Sequence, residues 1–191
     1  LKWYDSVDTL CEEKEVHGIF IASNNLSHYP IAKQLLEAGK HLIIEKPITT
    51  TLEHARDLVQ LAEKNNLSLA VDHMMLYNAN NIKARQIIRK GELGDINHIV
   101  LHMEFPYGFT EEEASTWRCS NPAEVGGPIG DVASHCMYMG EFLLNDTISS
   151  LQAVYTPPVT NIKAENGAYI NFTTKKNITG TIRVSFSEPR G

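Results

Sequence analysis

The first seventy residues alternate between short apolar runs and longer segments whose apolar residues recur at helical spacing. The apolar runs predict three β-strands, at residues 18–22, 41–46 and 67–71. The longer segments predict three helices, at residues 8–15, 27–38 and 52–65. Strands and helices that alternate at this spacing form a βαβαβ unit with a parallel sheet, which is one half of a doubly wound fold.

Local signals set the predicted ends of these elements. Ser27 and Thr51 are suitable N-caps, and Gly39 suits the position after a helix. The continuous apolar run 42–44 predicts a strand covered by helices on both faces. Pro47 cannot donate to a β-ladder, so the strand is expected to stop before it.

The pattern changes after residue 73. Helices are predicted at residues 82–90 and 130–144, strands at 96–105, 151–155, 168–173 and 180–187, and a polar loop at 110–121. A helix followed by consecutive strands with polar turns predicts an α+β domain with an open, largely antiparallel sheet. The fold class is therefore α/β: a partial Rossmann-type domain at residues 1–73 and a partial α+β domain at residues 74–191.

Composition narrows the class of protein. The 191 residues are 42% hydrophobic and 21% charged, which is ordinary for a soluble globular chain. A net charge of −6 argues against a nucleic-acid partner, and no apolar run approaches a membrane span. The three cysteines form no CxxC pair. Free thiols and a cytoplasmic location are therefore expected.

The first candidate site is Glu45-Lys46-Pro47, at the carboxyl end of a predicted parallel strand. Open α/β sheets bind their ligands at this end. A lysine there can donate a proton or hold a substrate oxygen. A solvated Glu-Lys pair at a strand end would have the same sequence, so this pattern alone leaves both interpretations open.

The second candidate site lies in residues 126–135. Gly126 and Gly127 let the backbone approach another surface closely. Asp131 and His135 are four residues apart, so they share one helix face and are suited to acid–base chemistry. Alternatively, Asp131 caps the helix and His135 satisfies a buried hydrogen bond. A zinc site would need a third ligand that the spacing does not supply, so no metal is predicted.

Several of these stretches, taken in order, resemble the glucose–fructose oxidoreductase/inositol dehydrogenase family, called Gfo/Idh/MocA. The matching segments are 23–28 (SNNLSH), 37–47 (EAGKHLIIEKP), 91–96 (GELGDI), 117–118 (WR) and 126–135 (GGPIGDVASH). Each segment is short, but the ordered set is specific and covers essentially the whole chain.

The resemblance implies a hydride-transferring oxidoreductase that uses NAD or NADP and acts on a secondary alcohol of a sugar, inositol or related polyol. It implies catalytic roles for Lys46, Asp131 and His135, with His135 as general base. It also implies a homo-oligomer through the C-terminal sheet. The cofactor-binding residues that it implies are Ser23, Asn24, Asn25, His28, Glu45, Lys46, Pro47, Trp117 and Arg118.

The chain also departs from the family pattern. It has no GxGxxG turn, it starts where the family's first sheet is about half built, and it ends inside the second sheet. Tyr138 stands where the family commonly has an acid. We therefore expect a fragment of a dehydrogenase that is inactive alone. Two alternatives are a non-catalytic binding or oligomerisation fragment and a metal-dependent lyase or hydrolase that uses Asp131 and His135.

Overall fold

The computed structural model describes residues 2–156 and 164–187. The chain forms two compact units, which divide between Asp72 and His73. No helix among the described residues is long and apolar enough to cross a membrane.

The first unit is the predicted βαβαβ arrangement, preceded by a short helix. Its elements are α1 (Val7–Glu12), β1 (Gly18–Ile21), α2 (Asn25–Glu37), β2 (His41–Glu45), α3 (Leu52–Lys64) and β3 (Leu69–Asp72). The three strands are parallel, in the order β1-β2-β3. Ile21 pairs with Ile44, and Glu45 pairs with Asp72, so the turns that follow β1 and β2 leave the sheet at the same edge.

The core of this unit lies on one face of the sheet. Leu42 and Ile44 of β2 are buried against α2 and α3, whose Leu35 and Leu58 are also buried. Between them, Ile43 is 48% exposed. The prediction that helices cover both faces is therefore wrong for the described residues, because both α2 and α3 pack on the side of Leu42 and Ile44.

The predicted helix ends are correct at two of three positions. The Thr51 hydroxyl accepts a hydrogen bond from His54 N at the start of α3, and Gly39 has a φ of +78° after α2. The N-cap of α2 is Asn24, not Ser27. The four polar residues at positions 23, 24, 25 and 27 can each cap a helix, and the sequence does not select among them.

The second unit contains a mixed sheet and several helices. Its main elements are α4 (Ala79–Arg89), β4 (His98–Glu104), α5 (Glu111–Ser115), α6 (Trp117–Ser120), α7 (Ser134–Leu144), β5 (Ile148–Thr156), β6 (Gly167–Thr174) and β7 (Thr179–Ser185). Short 3₁₀ turns span Met74–Tyr77 and Pro122–Glu124, and a π-helical turn, Ile129–Ala133, leads directly into α7.

The sheet order is β4-β7-β6-β5, with antiparallel pairs β5–β6 and β6–β7 and a parallel pair β4–β7. This confirms the predicted largely antiparallel sheet. Its inner face packs Ile170 and Ile182 against Cys136 of α7. Its outer face leaves large apolar side chains exposed, with Val100 at 64% and Val154 at 66%.

The segment 110–121, predicted as a polar loop, instead contains α5 and α6. Thr110 and Glu113 form a reciprocal capping box that starts α5. The signature was present in the sequence as Thr-x-x-Glu. The overall polarity of the segment concealed it, because short helices of one or two turns show little apolar periodicity.

The described cysteines are free thiols, as predicted. Cys119 and Cys136 are buried, and burial raises the pKa of Cys136 to about 11. Because the thiolate is the nucleophile, we expect iodoacetamide at pH 8 to alkylate partly exposed Cys11 much faster than Cys136 in the native protein. Mass spectrometry of the three cysteine-containing peptides measures the rates. Equal rates would show that α7 opens readily in the native state.

Candidate functional site

The turn after β1 carries the first group of predicted cofactor-binding residues. Ser23 and Asn24 are exposed, and Asn24 is the N-cap of α2. The Ser27 hydroxyl lies 2.6 Å from Asn24 Oδ1 and 2.7 Å from Ser23 Oγ. Asn25 is only 6% exposed. Ser23 and Asn24 are therefore exposed at the carboxyl end of β1, whereas Asn25 is buried.

The turn after β2 carries Glu45, Lys46 and Pro47. The three residues are half-buried, and Lys46 N donates a hydrogen bond of 3.0 Å to Glu45 Oε2. The Lys46–Pro47 peptide is cis. Because β1 and β2 are neighbouring parallel strands, this turn leaves the sheet beside the turn that holds Ser23 and Asn24.

His28 joins these two turns. Its Nδ1 lies 2.8 Å from Pro47 O and its Nε2 lies 3.2 Å from Ser23 O, and the side chain is fully buried. The resemblance implied that His28 lies along the cofactor. The buried ring holds the Ser23 and Pro47 backbones together, and its place along the cofactor stays a prediction.

In the second unit, the Asp131 side chain is nearly buried and paired with an arginine. Arg118 Nε donates a hydrogen bond of 3.0 Å to Asp131 Oδ2, and the Arg118 guanidinium carbon lies 4.5 Å from the centre of the Trp117 ring. Trp117 therefore supports the arginine that holds the carboxylate. The loop pair singled out in the sequence thus belongs to the surroundings of Asp131.

His135 follows Asp131 on the next turn of the same segment. The helix predicted from residue 130 begins instead as the π-helical turn Ile129–Ala133 and becomes α-helical at Ser134. Turns of this kind are rare and are frequent at functional sites. His135 Nδ1 lies 2.6 Å from the hydroxyl of Tyr138, one turn further along α7.

Three glycines pack this segment closely, as predicted for the first two. A Cβ on Gly126 would lie 2.6 Å from Trp117 O, and a Cβ on Gly130 would overlap Val125 O. Gly127 has a φ of +93°, and a Cβ there would contact the Glu165 carboxylate at 2.5 Å. The backbone before Asp131 therefore has no room for larger residues.

Glu165 fixes the start of the π-helical turn. Its Oε1 accepts a hydrogen bond of 2.9 Å from Ile129 N. A carboxylate at this position is favourable because the first backbone N–H groups of a helical segment lack internal partners.

Sequence reasoning did not identify the roles of Arg118, Tyr138 and Glu165 in this arrangement. The contact between Tyr138 and His135 could have been predicted from the sequence, because residues three apart on a helix are neighbours. Arg118 and Glu165 reach the segment from 13 residues before Asp131 and 36 residues after Ile129. No local pattern indicates such pairings. Among residues 2–156 and 164–187, no three His, Cys, Asp or Glu side chains are grouped as a metal site requires.

Two family models together match nearly the whole chain. Residues 1–73 match the oxidoreductase family, NAD-binding Rossmann fold, of Gfo/Idh/MocA proteins, and residues 81–191 match the Gfo/Idh/MocA C-terminal domain. The predicted family is thereby confirmed, as is a nicotinamide cofactor for that family.

Individual relatives agree with these matches. The chain is 34% identical to the uncharacterized oxidoreductase YfiI of Bacillus subtilis over 139 residues, which cover 68% of this chain and 34% of YfiI. It is 28% identical to the 1,5-anhydro-D-fructose reductase of Ensifer adhaerens over 149 residues, covering 78% of this chain and 44% of the reductase.

Among solved structures, a NAD-binding protein from Listeria innocua has a TM-score of 0.88 at 24% identity, covering all of this chain and 53% of the other. This similarity shows the fold. The chain spans about a third to a half of the length of these proteins.

Proposed function

Because the chain belongs to the Gfo/Idh/MocA family of oxidoreductases, we propose that the complete protein transfers a hydride between NAD or NADP and a secondary alcohol of a sugar, inositol or related polyol. The observation that carries this proposal is the position of Lys46 at the carboxyl end of β2, within a domain that matches a NAD-binding Rossmann fold. The sugar substrate of the Ensifer adhaerens reductase supports the substrate class.

Lys46 is assigned to the substrate oxygen. Oxidation of a secondary alcohol develops negative charge on that oxygen as its proton leaves. A fixed ammonium group beside it stabilises the charge more than it stabilises the neutral ground state, and this difference accelerates the reaction. The short hydrogen-bonded turn of Glu45, Lys46 and Pro47, held by buried His28, gives the lysine a defined backbone position.

His135 is assigned as the general base that takes the hydroxyl proton. Histidine titrates near neutral pH, which suits proton transfer in either direction. Asp131 is assigned to orienting the substrate beside it. Its carboxylate is held by Arg118, so it can keep a fixed position when a substrate hydroxyl donates to it.

The residues of the first unit fit one end of a dinucleotide. Ser23 and Asn24 are exposed at the start of α2, and Glu45 lies in the neighbouring turn. These polar groups suit the nicotinamide end, while no glycine-rich phosphate turn is present in the 191 residues. When bound, the nicotinamide accepts the hydride. The preference between NAD and NADP is part of the proposal to be tested.

We further propose that the complete protein is cytoplasmic and forms a homo-oligomer through the outer face of the second sheet. Free cysteines agree with a reducing compartment. The outer face exposes Val100 by 64%, Val154 by 66% and Tyr169 by 45% of their surface, and Val154 and Tyr169 are paired on adjacent strands. Exposed apolar residues on neighbouring strands are typical of a surface that another protein covers.

The test is an activity screen of the complete protein. Inositols, aldoses and anhydrohexitols are each incubated with NAD or NADP, and reduced nicotinamide is followed by absorbance. We expect turnover with at least one polyol and a clear preference for one nucleotide, unaffected by a chelator. Activity lost to a chelator and restored by zinc would instead support metal-dependent chemistry. Absence of nucleotide binding would support a non-catalytic protein.

A further inference from the structure

The hydroxyl of Tyr138 is in contact with the ring nitrogen of His135 that lies nearer the backbone. The Nδ1–oxygen distance is 2.6 Å, which is short for a nitrogen–oxygen hydrogen bond. The two rings meet edge to face, with centres 5.4 Å apart and planes inclined by 69°. Both residues lie in α7, three positions apart, so the helix itself fixes their spacing.

Tyr138 is itself fixed from its other side. The ring of His73 lies 4.1 Å from the Tyr138 ring, centre to centre, with an inclination of 35°. Both rings are half-buried. Rotation of the Tyr138 side chain would break the stacking on His73 and the hydrogen bond to His135 together. The phenol is therefore a rigid partner for the imidazole.

We propose that Tyr138 is the positioning residue for His135: its hydroxyl oxygen accepts a hydrogen bond from Nδ1–H, so that the proton stays on Nδ1 and the lone pair lies on Nε2. This inference rests on the proposed role of His135 as general base. A neutral imidazole carries its proton on one nitrogen only, and the partner of one nitrogen determines the state of the other. With Nδ1–H bonded to Tyr138, Nε2 is the nitrogen that can take a hydroxyl proton.

A phenol and a carboxylate differ in the charge that they place beside the histidine. Both accept a hydrogen bond from Nδ1–H, but a carboxylate also adds a negative charge that stabilises the imidazolium form. Tyr138 orients the ring without adding that charge. The base is then deprotonated, and so active in oxidation, at a lower pH than with a carboxylate partner.

The first experiment reads the position of the proton directly. The complete protein is labelled with ¹⁵N-histidine, and the His135 signals are identified by their loss in His135→Gln. At a pH where the ring is neutral, we expect the unprotonated nitrogen to be Nε2. In Tyr138→Phe, which keeps the ring stacked on His73, we expect the proton to redistribute toward Nε2. A wild-type ring with its proton on Nε2 would overturn the proposal.

The second experiment uses kinetics. Tyr138→Phe is expected to lower kcat about tenfold with little change in KM. Tyr138→Asp is expected to shift the rising limb of the kcat–pH profile to higher pH by about one unit, because the new carboxylate favours imidazolium. Tyr155→Phe, which removes a hydroxyl from an exposed tyrosine, is the control and should leave both quantities unchanged.

The outcomes separate this inference from the proposed function. An unchanged pH profile in Tyr138→Asp together with an unchanged proton position in Tyr138→Phe would refute the role of Tyr138 even if the protein is an active dehydrogenase. Conversely, a protein that shows the expected proton position but oxidises no polyol would refute the proposed function and leave the pairing of Tyr138 with His135 established.

Discussion

Replacement of Lys46 by methionine is expected to lower kcat for polyol oxidation by about 10³-fold. Methionine keeps most of the length of the side chain and removes the ammonium group. The charge that develops on the substrate oxygen then has no fixed cation beside it. Because that interaction is strongest in the transition state, kcat should fall more than KM rises. Steady-state kinetics with the complete protein measures both.

Two further variants make this result specific. Lys64→Met removes an exposed lysine from the last turn of α3 and should leave kcat unchanged. Lys46→Arg keeps the charge with a different shape and should retain a small fraction of the activity. Thermal unfolding of all three variants should match the wild type. A Lys46→Met protein that is folded and turns over at nearly the normal rate would remove Lys46 from the mechanism.

The first unit was largely predictable because its elements are local. Each strand is a short apolar run, and each helix has its own stripe of apolar residues. Thr51 marks the start of α3 by a hydrogen bond within the first turn, and Gly39 marks the end of α2 by its positive φ. The open face of the sheet was not predictable. An apolar side chain such as Ile43 indicates that a surface favours burial, but it does not indicate whether a covering element lies within these 191 residues.

The second unit was predicted less completely because its organising contacts are distant in sequence. β4 pairs with β7 across roughly eighty residues, as in the pairing of His98 with Thr179. The sequence predicts both strands but contains no local signal for their parallel pairing. The π-helical turn is similar, since Gly130 within it packs closely against Val125, and periodicity does not show such a contact.

The candidate site shows the same division. The motifs identified Lys46, Asp131 and His135 as candidate residues, but they did not predict the hydrogen bonds and packing contacts around these residues. His28 was recognisable within its motif, and only the structure shows that it spans from Ser23 to Pro47. Arg118 was singled out as a cation in a polar loop, and its partner proved to be Asp131.

Replacement of Gly130 by alanine is expected to destabilise the second unit by about 3 kcal/mol. The new Cβ would overlap the carbonyl oxygen of Val125. Relief by movement of Val125 is costly, because this β-branched residue already has a φ of +58°. The π-helical turn must shift instead, and Asp131 follows Gly130 directly. We therefore expect kcat to fall at least about tenfold in the protein that remains folded.

Gly140→Ala is the matched control, since Gly140 lies inside α7 of the same segment. Its Cβ would meet the Leu101 Cδ1 methyl group at 3.2 Å, which a flexible side chain can accommodate, and Phe172 Cζ at an ordinary contact distance of 3.5 Å. Alanine is favoured over glycine within a helix by about 1 kcal/mol, so this variant should be neutral or slightly more stable. Hydrogen exchange of peptides that cover residues 126–144, with urea unfolding, measures both effects. Equal exchange in the two variants would show that the backbone contact at Gly130 does not constrain the Asp131 segment.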